Sequence, residues 1–206
     1  MFTGISTKSV KVFKLKILNL SIILKALIMA DFDIALQNTL KNEGGYVFDK
    51  SDPGGETYKG IARKMNGGWV GWKIIDLLKK QPNFPANLEI NIQLQNAVNA
   101  FYKSNYWDII KGGNLNNQVV ANSIFDFAVN AGVSMSASLA QNIVGASNDG
   151  IIGLATIASI NKFNPDHFLA SFTVAKISRY ISIIKNRPSS QKYFFGWVCR
   201  ALGENG

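Results

Sequence analysis

Asn42-Glu43-Gly44-Gly45-Tyr46, followed by Asp52-Pro53-Gly54-Gly55-Glu56-Thr57 and Lys59-Gly60-Ile61, decides how the chain is read. Upstream, Phe32, Ala35, Leu36 and Leu40 recur at helical spacing, with Thr39 beside them and Asp31 as the N-cap. Gly44-Gly45 is a helix stop. This spacing predicts a first helix with Glu43 in its last turn. Asp52-Pro53-Gly54-Gly55 is a strong turn signal with short apolar stretches on either side. It predicts a small β-hairpin or irregular loop after the first helix.

Working outward, helical periodicity returns over about 74–79, 88–107, 118–131, 134–144, 154–162 and 165–186. Gly132 ends one segment, and Pro165 stands in the first turn of another. Few stretches alternate as strands do, and no repeat is evident. The expected class is mostly α, with one small β element.

The chain has 206 residues and 47% apolar content, enough for a packed core. Of its net charge of +9, five charges belong to Lys8, Lys11, Lys14, Lys16 and Lys25, in residues 1–28, which contain no acid. The mildly basic remainder favours an anionic partner. Zinc-finger spacing, RNA-binding aromatic motifs and a basic helix are missing from it, so nucleic acid is not expected. Residues 1–28 have two readings. A Lys-dotted stretch before a run of about 14 apolar residues has the outline of a signal peptide, and is short for a span of about 20. Met29-Ala30-Asp31 also resembles a natural start, which would make the preceding residues a misassigned upstream extension. Contact with a membrane is expected only through this leader. Cys199 is the only cysteine, so an internal disulfide is impossible and a packed thiol is expected. His167 is the only histidine; it lies on the polar side of a helix start, without metal-ligand spacing around it. No metal or cofactor is expected.

Cleaving a glycosidic bond requires a carboxylic acid that keeps its proton near neutral pH. Glu43 has three supports for that role. The helix C-terminus disfavours another negative charge, Tyr46 and Phe48 could desolvate the carboxyl, and two glycines leave room for close approach. Taken alone, a Glu beside a glycine cap is ordinary surface chemistry. The turn that follows supplies Asp52 and Thr57, which could orient a water or stabilise an oxocarbenium-like transition state. Plain turn chemistry is the competing reading for Asp52. Asp126, in an apolar helix, is either a second carboxylate or the acceptor of a structural hydrogen bond from a helix end or Asn130. Asn130 could contact an N-acetyl group. Trp69, Trp72, Tyr102, Tyr106 and Trp107 are candidates for stacking on sugar rings, with Trp69 in its Gly-rich loop the favoured one and Tyr102 expected in the core.

The quoted stretch resembles the signature of glycoside hydrolase family 108, the lysozyme-like N-acetylmuramidases of phages and bacteria. The likeness continues through Phe125-Asp126-Phe127-Ala128-Val129-Asn130-Ala131-Gly132, Asp149-Gly150-Ile151-Ile152-Gly153 with Thr156, and Gly196-Trp197 with Arg200. These later residues are similar to the family's peptidoglycan-binding region. The resemblance implies a lysozyme-like helical fold and Glu43 as the catalytic acid. The order Glu, Asp, Thr, Gly-Ile is also similar to the catalytic stretch of small phage lysozymes. By analogy this puts Asp52 and Thr57 across the cleft and leaves the second catalytic residue open. Tyr46, Trp69, Asp126 and Asn130 are the candidate substrate contacts. The family resemblance also implies bacterial peptidoglycan as partner, in the periplasm or cell wall; some relatives are called secretion activators. The expected division is 1–28 as leader or extension, 29–110 as catalytic part, and 111–206 as the peptidoglycan-binding part packed in the same globule. The chain departs from the family pattern at Asn66-Gly67-Gly68-Trp69-Val70-Gly71-Trp72, where members have a helix and a polar loop.

Overall fold

The computed structural model describes residues 29–41, 43–49 and 54–203. Asp52 and the leader at 1–28 lie outside the described residues. Among those described there are eight α-helices and one small sheet: α1 (Phe32–Leu40), β1 (Tyr46–Phe48), β2 (Glu56–Tyr58), β3 (Ile61–Ala62), α2 (Gly71–Leu78), α3 (Ile92–Tyr102), α4 (Gln118–Ala131), α5 (Val133–Val144), α6 (Leu154–Lys162), α7 (Pro165–Asn186) and α8 (Phe194–Leu202). A π-helical turn (Lys103–Trp107) prolongs α3, and 3-10 turns precede α3 and α8.

Local chemistry sets the helix boundaries. The Asp31, Asn91, Asn117 and Asn164 side chains each accept a hydrogen bond from the backbone N–H three residues on, capping α1, α3, α4 and α7. Pro165 occupies the first turn of α7. Gly132 joins α4 directly to α5 with φ +92°, a backbone conformation open to glycine and costly for other residues.

The sheet is antiparallel in the order β1-β2-β3. Tyr46 faces Tyr58, Phe48 faces Glu56, and Thr57 lies between Val47 and Ala62. Alternation puts Glu56 and Tyr58 on the buried face and Thr57 on the other. The hairpin expected from the turn signal is therefore present, with a third strand of two residues added.

Helix α4 is the centre of the molecule, packed against α1, α5 and α7. Its Ile124, Phe125, Phe127 and Ala128 are buried. Phe125 meets Phe32 of α1 and Trp107 edge-on, and Phe127 meets Phe172 and Tyr180 of α7. Two faces of α4 thus tie the first half of the chain to the second. A polar clasp adds to this: Asp31 N–H donates to Gln118 Oε1 at 2.7 Å, and Gln118 Nε2 donates back to the Asp31 carbonyl at 2.9 Å.

The sequence reading needs two corrections. The first helix ends at Leu40, so Glu43 sits beyond it, its N–H donating to the Leu40 carbonyl at 3.2 Å. The helix expected over about 88–107 is shorter, Ile92–Tyr102, because Asn91 caps its start and the last turn widens into the π-helical one. Replacing Phe125 by Ala should cost about 3–5 kcal/mol, the range for emptying a buried aromatic site. Phe195→Ala, at a side chain 78% exposed, should change stability by no more than about 0.5 kcal/mol. Denaturant melts of the two variants check this contrast.

Candidate active site

Glu43 leaves α1 and turns inward at the glycine pair. Its carboxylate is only 17% exposed, and Oε1 accepts a hydrogen bond from Arg200 Nη2 at 3.0 Å. The same nitrogen donates to Asp126 Oδ1 at 2.9 Å, and Arg200 Nε donates to Asp126 Oδ2 at 3.1 Å. Arg200 comes from α8 and Asp126 from α4. The bidentate grip on Asp126 fixes the guanidinium plane, and the remaining donor is aimed at Glu43.

The turn between β2 and β3 closes over the other carboxylate oxygen. Lys59 there has φ 44° and Gly60 has φ 77°. A Cβ on Gly60 would come within 2.6 Å of Glu43 Oε2 and 2.8 Å of the Tyr102 hydroxyl. Only a residue without a side chain fits between the hairpin and the carboxylate. Tyr102 donates its hydroxyl to the Lys59 carbonyl at 2.6 Å, pinning this turn to α3, and Tyr106 stacks on Tyr102.

Burial pushes the Glu43 carboxyl above its ordinary value. The Arg200 charge and hydrogen bond oppose that shift, the Asp126 charge adds to it, and the balance is a raised pKa. Burial likewise raises the Tyr102 and Tyr106 phenols, with the Glu43 charge contributing. These two phenols, from α3 and its π-helical extension, are the aromatic neighbours of Glu43. The sequence reading had assigned that desolvation to Tyr46 and Phe48. Tyr46 instead packs edge-on to Phe84, under Lys79 and beside Glu56, and Phe48 is mostly exposed. Strand pairing explains the displacement: Tyr46 and Phe48 share a face with Tyr58 and Glu56.

Glu56 is buried and ion-paired to Arg63 at 2.6 Å and to Lys79. Arg63 also grips Asp76. Burial pushes the Glu56 carboxyl up, but bonds from Lys79, Arg63 and Tyr46 outweigh it and hold the pKa low. This carboxylate is a structural anchor of the sheet.

The other sequence candidates are dispersed. Thr57 is half-buried on the sheet face opposite Glu56, three residues before Gly60. Asn130 is exposed, its Oδ1 accepting from the Tyr180 hydroxyl at 3.3 Å. Asp126 bonds to Arg200, and Asn130 is not its partner. Trp69 lies over Gly71, edge-on to Trp72 and Phe101, and donates its indole N–H to the Ala97 carbonyl at 3.2 Å. These contacts hold Trp69 against α2 and α3. Trp72, Tyr102 and Trp107 are core residues. Arg200 entered the sequence reading only as part of a motif. Its spacing of 157 residues from Glu43 offers no local signal that the two meet. His167 is exposed and Cys199 buried, as expected. Among the described residues no cluster of three or more His, Cys, Asp or Glu is placed to hold a metal, and no helix is long and apolar enough to cross a membrane.

Residues 36–132 match the model of glycosyl hydrolase 108, and residues 135–202 match that of a predicted peptidoglycan domain. The chain thus carries a glycosyl hydrolase 108 domain followed by a predicted peptidoglycan domain. Its structure is similar to that of Brucella abortus SagA, with a TM-score of 0.60 and 25% identity over 83% of this chain and 89% of that one. Among curated proteins none matches the sequence. The two matched regions meet at Glu43: Glu43, Gly60, Tyr102 and Asp126 belong to the hydrolase region, and Arg200 to the peptidoglycan domain.

Two outcomes test this geometry. Gly60→Ala should displace Glu43 or the hairpin and cost about 1 kcal/mol or more through the left-handed backbone alone; a thermal melt reads this. The raised Glu43 pKa also has a stability consequence. The folded protein holds this proton more tightly than the unfolded chain, so the contribution is full below about pH 4.3 and is lost as pH rises through the folded value. Wild type should therefore lose stability relative to Glu43→Gln as pH rises above about 4.3. Denaturant melts across that range give the difference, and a flat one would contradict the assignment.

Proposed function

We propose that this protein is a lysozyme-type N-acetylmuramidase that cleaves the β-1,4 bond between N-acetylmuramic acid and N-acetylglucosamine in bacterial peptidoglycan, with Glu43 as general acid. The observation that carries this reading is a half-buried carboxyl with raised proton affinity, set under a glycine turn. The hydrolase and peptidoglycan domains supply the substrate class.

In this mechanism Glu43 Oε2, the oxygen not held by Arg200, gives its proton to the glycosidic oxygen as the bond breaks. Positive charge then builds at the anomeric carbon. The ionised Glu43 that results is stabilised by Arg200, so the ion pair belongs to the product side of the proton transfer. Asp126 serves as a positioning residue. Its two oxygens are both engaged by Arg200, and its Oδ1 shares one nitrogen with Glu43 Oε1. That brings these oxygens closer than the roughly 6.5–9.5 Å of an inverting pair and fills the space between them with guanidinium rather than water. The attacking water is therefore assigned to the hairpin side, where Thr57 and Asp52 would orient it. Tyr106, half-buried and stacked on Tyr102 beside the acid, is the proposed platform for a sugar ring.

A second reading is a wall-binding accessory that aids secretion or phage release without cutting. One observation favours it: Glu43 is ion-paired to a residue of the peptidoglycan domain. One experiment separates the two, release of reducing sugar from purified peptidoglycan with wall binding measured in parallel. Glu43→Gln should lose activity by about 10²–10⁴-fold while still binding. Wild-type activity should fall as pH rises through the raised Glu43 pKa, since the acid must enter the reaction protonated. Equal turnover by wild type and Glu43→Gln would end the catalytic assignment, and binding with no turnover by wild type would favour the accessory.

A further inference from the structure

On the far side of the Arg200–Asp126 pair from Glu43 lies a cavity of about 410 Å³. Its walls come from the end of α1, from α4, from α7 and from the end of α8. It therefore sits between the hydrolase region and the peptidoglycan domain. The polar side chains that matter are Lys41, Ser123, Asp126, Lys176 and Arg200.

Lys176 is the anomalous residue. It is 95% buried, yet among the described residues its ammonium has no carboxylate within salt-bridge distance. One hydrogen bond, to Ser123 Oγ at 3.3 Å, and the face of Phe172 are its recorded partners. An ammonium carries three donors. Burying it without a counter-ion is costly unless a ligand brings one. The two other cations in the lining add to the imbalance. Among the described residues Lys41 is bonded to the neutral Asn38, and Arg200 is already committed to Asp126 and Glu43. Burial also pulls the Lys176 ammonium below its ordinary pKa, which a bound anion would reverse.

We propose that this cavity is a subsite for a carboxylate of the peptide stem of peptidoglycan, held chiefly by Lys176. The proposal rests on peptidoglycan as the substrate class and specifies which part of the polymer the cavity takes. The glycan backbone is neutral, and its sugars favour aromatic faces; the lining here has none. In an intact strand the lactyl carboxyl is consumed in the amide to the stem. The anionic groups left are the free carboxylates of the stem itself. A stem bound there would lie against the Arg200–Asp126 pair that holds Glu43, so the cavity would choose peptide-bearing positions on the glycan for cleavage.

Binding is measured by calorimetry in the Glu43→Gln protein, with probes that lack the bond a muramidase cuts. The probes are the N-acetylglucosaminyl-N-acetylmuramyl tetrapeptide and the same compound with its stem carboxylates amidated. Amidation should weaken binding at least about tenfold, and adding Lys176→Met should remove the difference between the two probes. Lys41→Gln, at an exposed side chain, should reduce the preference by a smaller factor and gives a second reading if packing around Lys176 is disturbed. Equal binding of the two probes by the parent protein overturns the proposal. So does an undiminished preference in both lysine variants with their melting transitions intact. Because binding is read and not cleavage, a failure of Glu43 as the acid would leave this result standing, and the reverse holds too.

Discussion

The guanidinium of Arg200 is the interaction on which the site depends. It joins a helix near the C-terminal end to a loop near the start of the described chain, and it does so through two carboxylates that would otherwise repel each other. Three partly buried charges of net −1 are tolerable because each carboxylate finds a donor on the same cation. Removing the cation would leave two acids facing one another in a poorly solvated space. The surroundings of Glu43 in the hydrolase region are therefore incomplete without the peptidoglycan domain, although the two match separate family models.

The same arrangement reconciles two demands on Glu43. Burial favours the neutral acid, whereas the ion pair favours the carboxylate, and burial prevails. In the proposed mechanism the neutral form is the one needed before a proton is donated. The ionised form is the one left afterwards, and Arg200 stands ready at 3.0 Å to receive it. A carboxyl with burial alone would hold its proton too firmly to give it up, and one with the ion pair alone would be ionised before reaction. The pairing of opposed effects is what a group that must cycle between two protonation states requires.

Much of this was legible in the sequence because it is written in local chemistry. The segments 118–131, 154–162 and 165–186 coincide with α4, α6 and α7, since each is bounded by an Asn cap, a glycine or a proline. The hairpin after the first helix followed from its turn residues. Glu43 stood out as a candidate through the glycines beside it, the turn that follows and the family resemblance. What local signals could not give were pairings across the chain. The facing of Tyr46 toward Glu56 depends on strand register, and the placement of Tyr102 and Tyr106 beside Glu43 depends on how α3 crosses the hairpin. The Arg200 contact depends on the whole packing of α7 and α8 against α4.

Gly60 shows how such a pairing leaves a mark on the sequence that only the structure explains. In the quoted motif it reads as one more turn glycine. Its positive φ would account for that much. The carboxylate oxygen of Glu43 and the phenol of Tyr102 add a second and independent requirement, because both occupy the place where a side chain would begin. Asn or Asp could adopt the turn's backbone, yet neither could fit beneath the acid. The glycine is thus selected twice, once by the hairpin and once by Glu43. That double constraint ties the turn sequence and the candidate acid into a single motif.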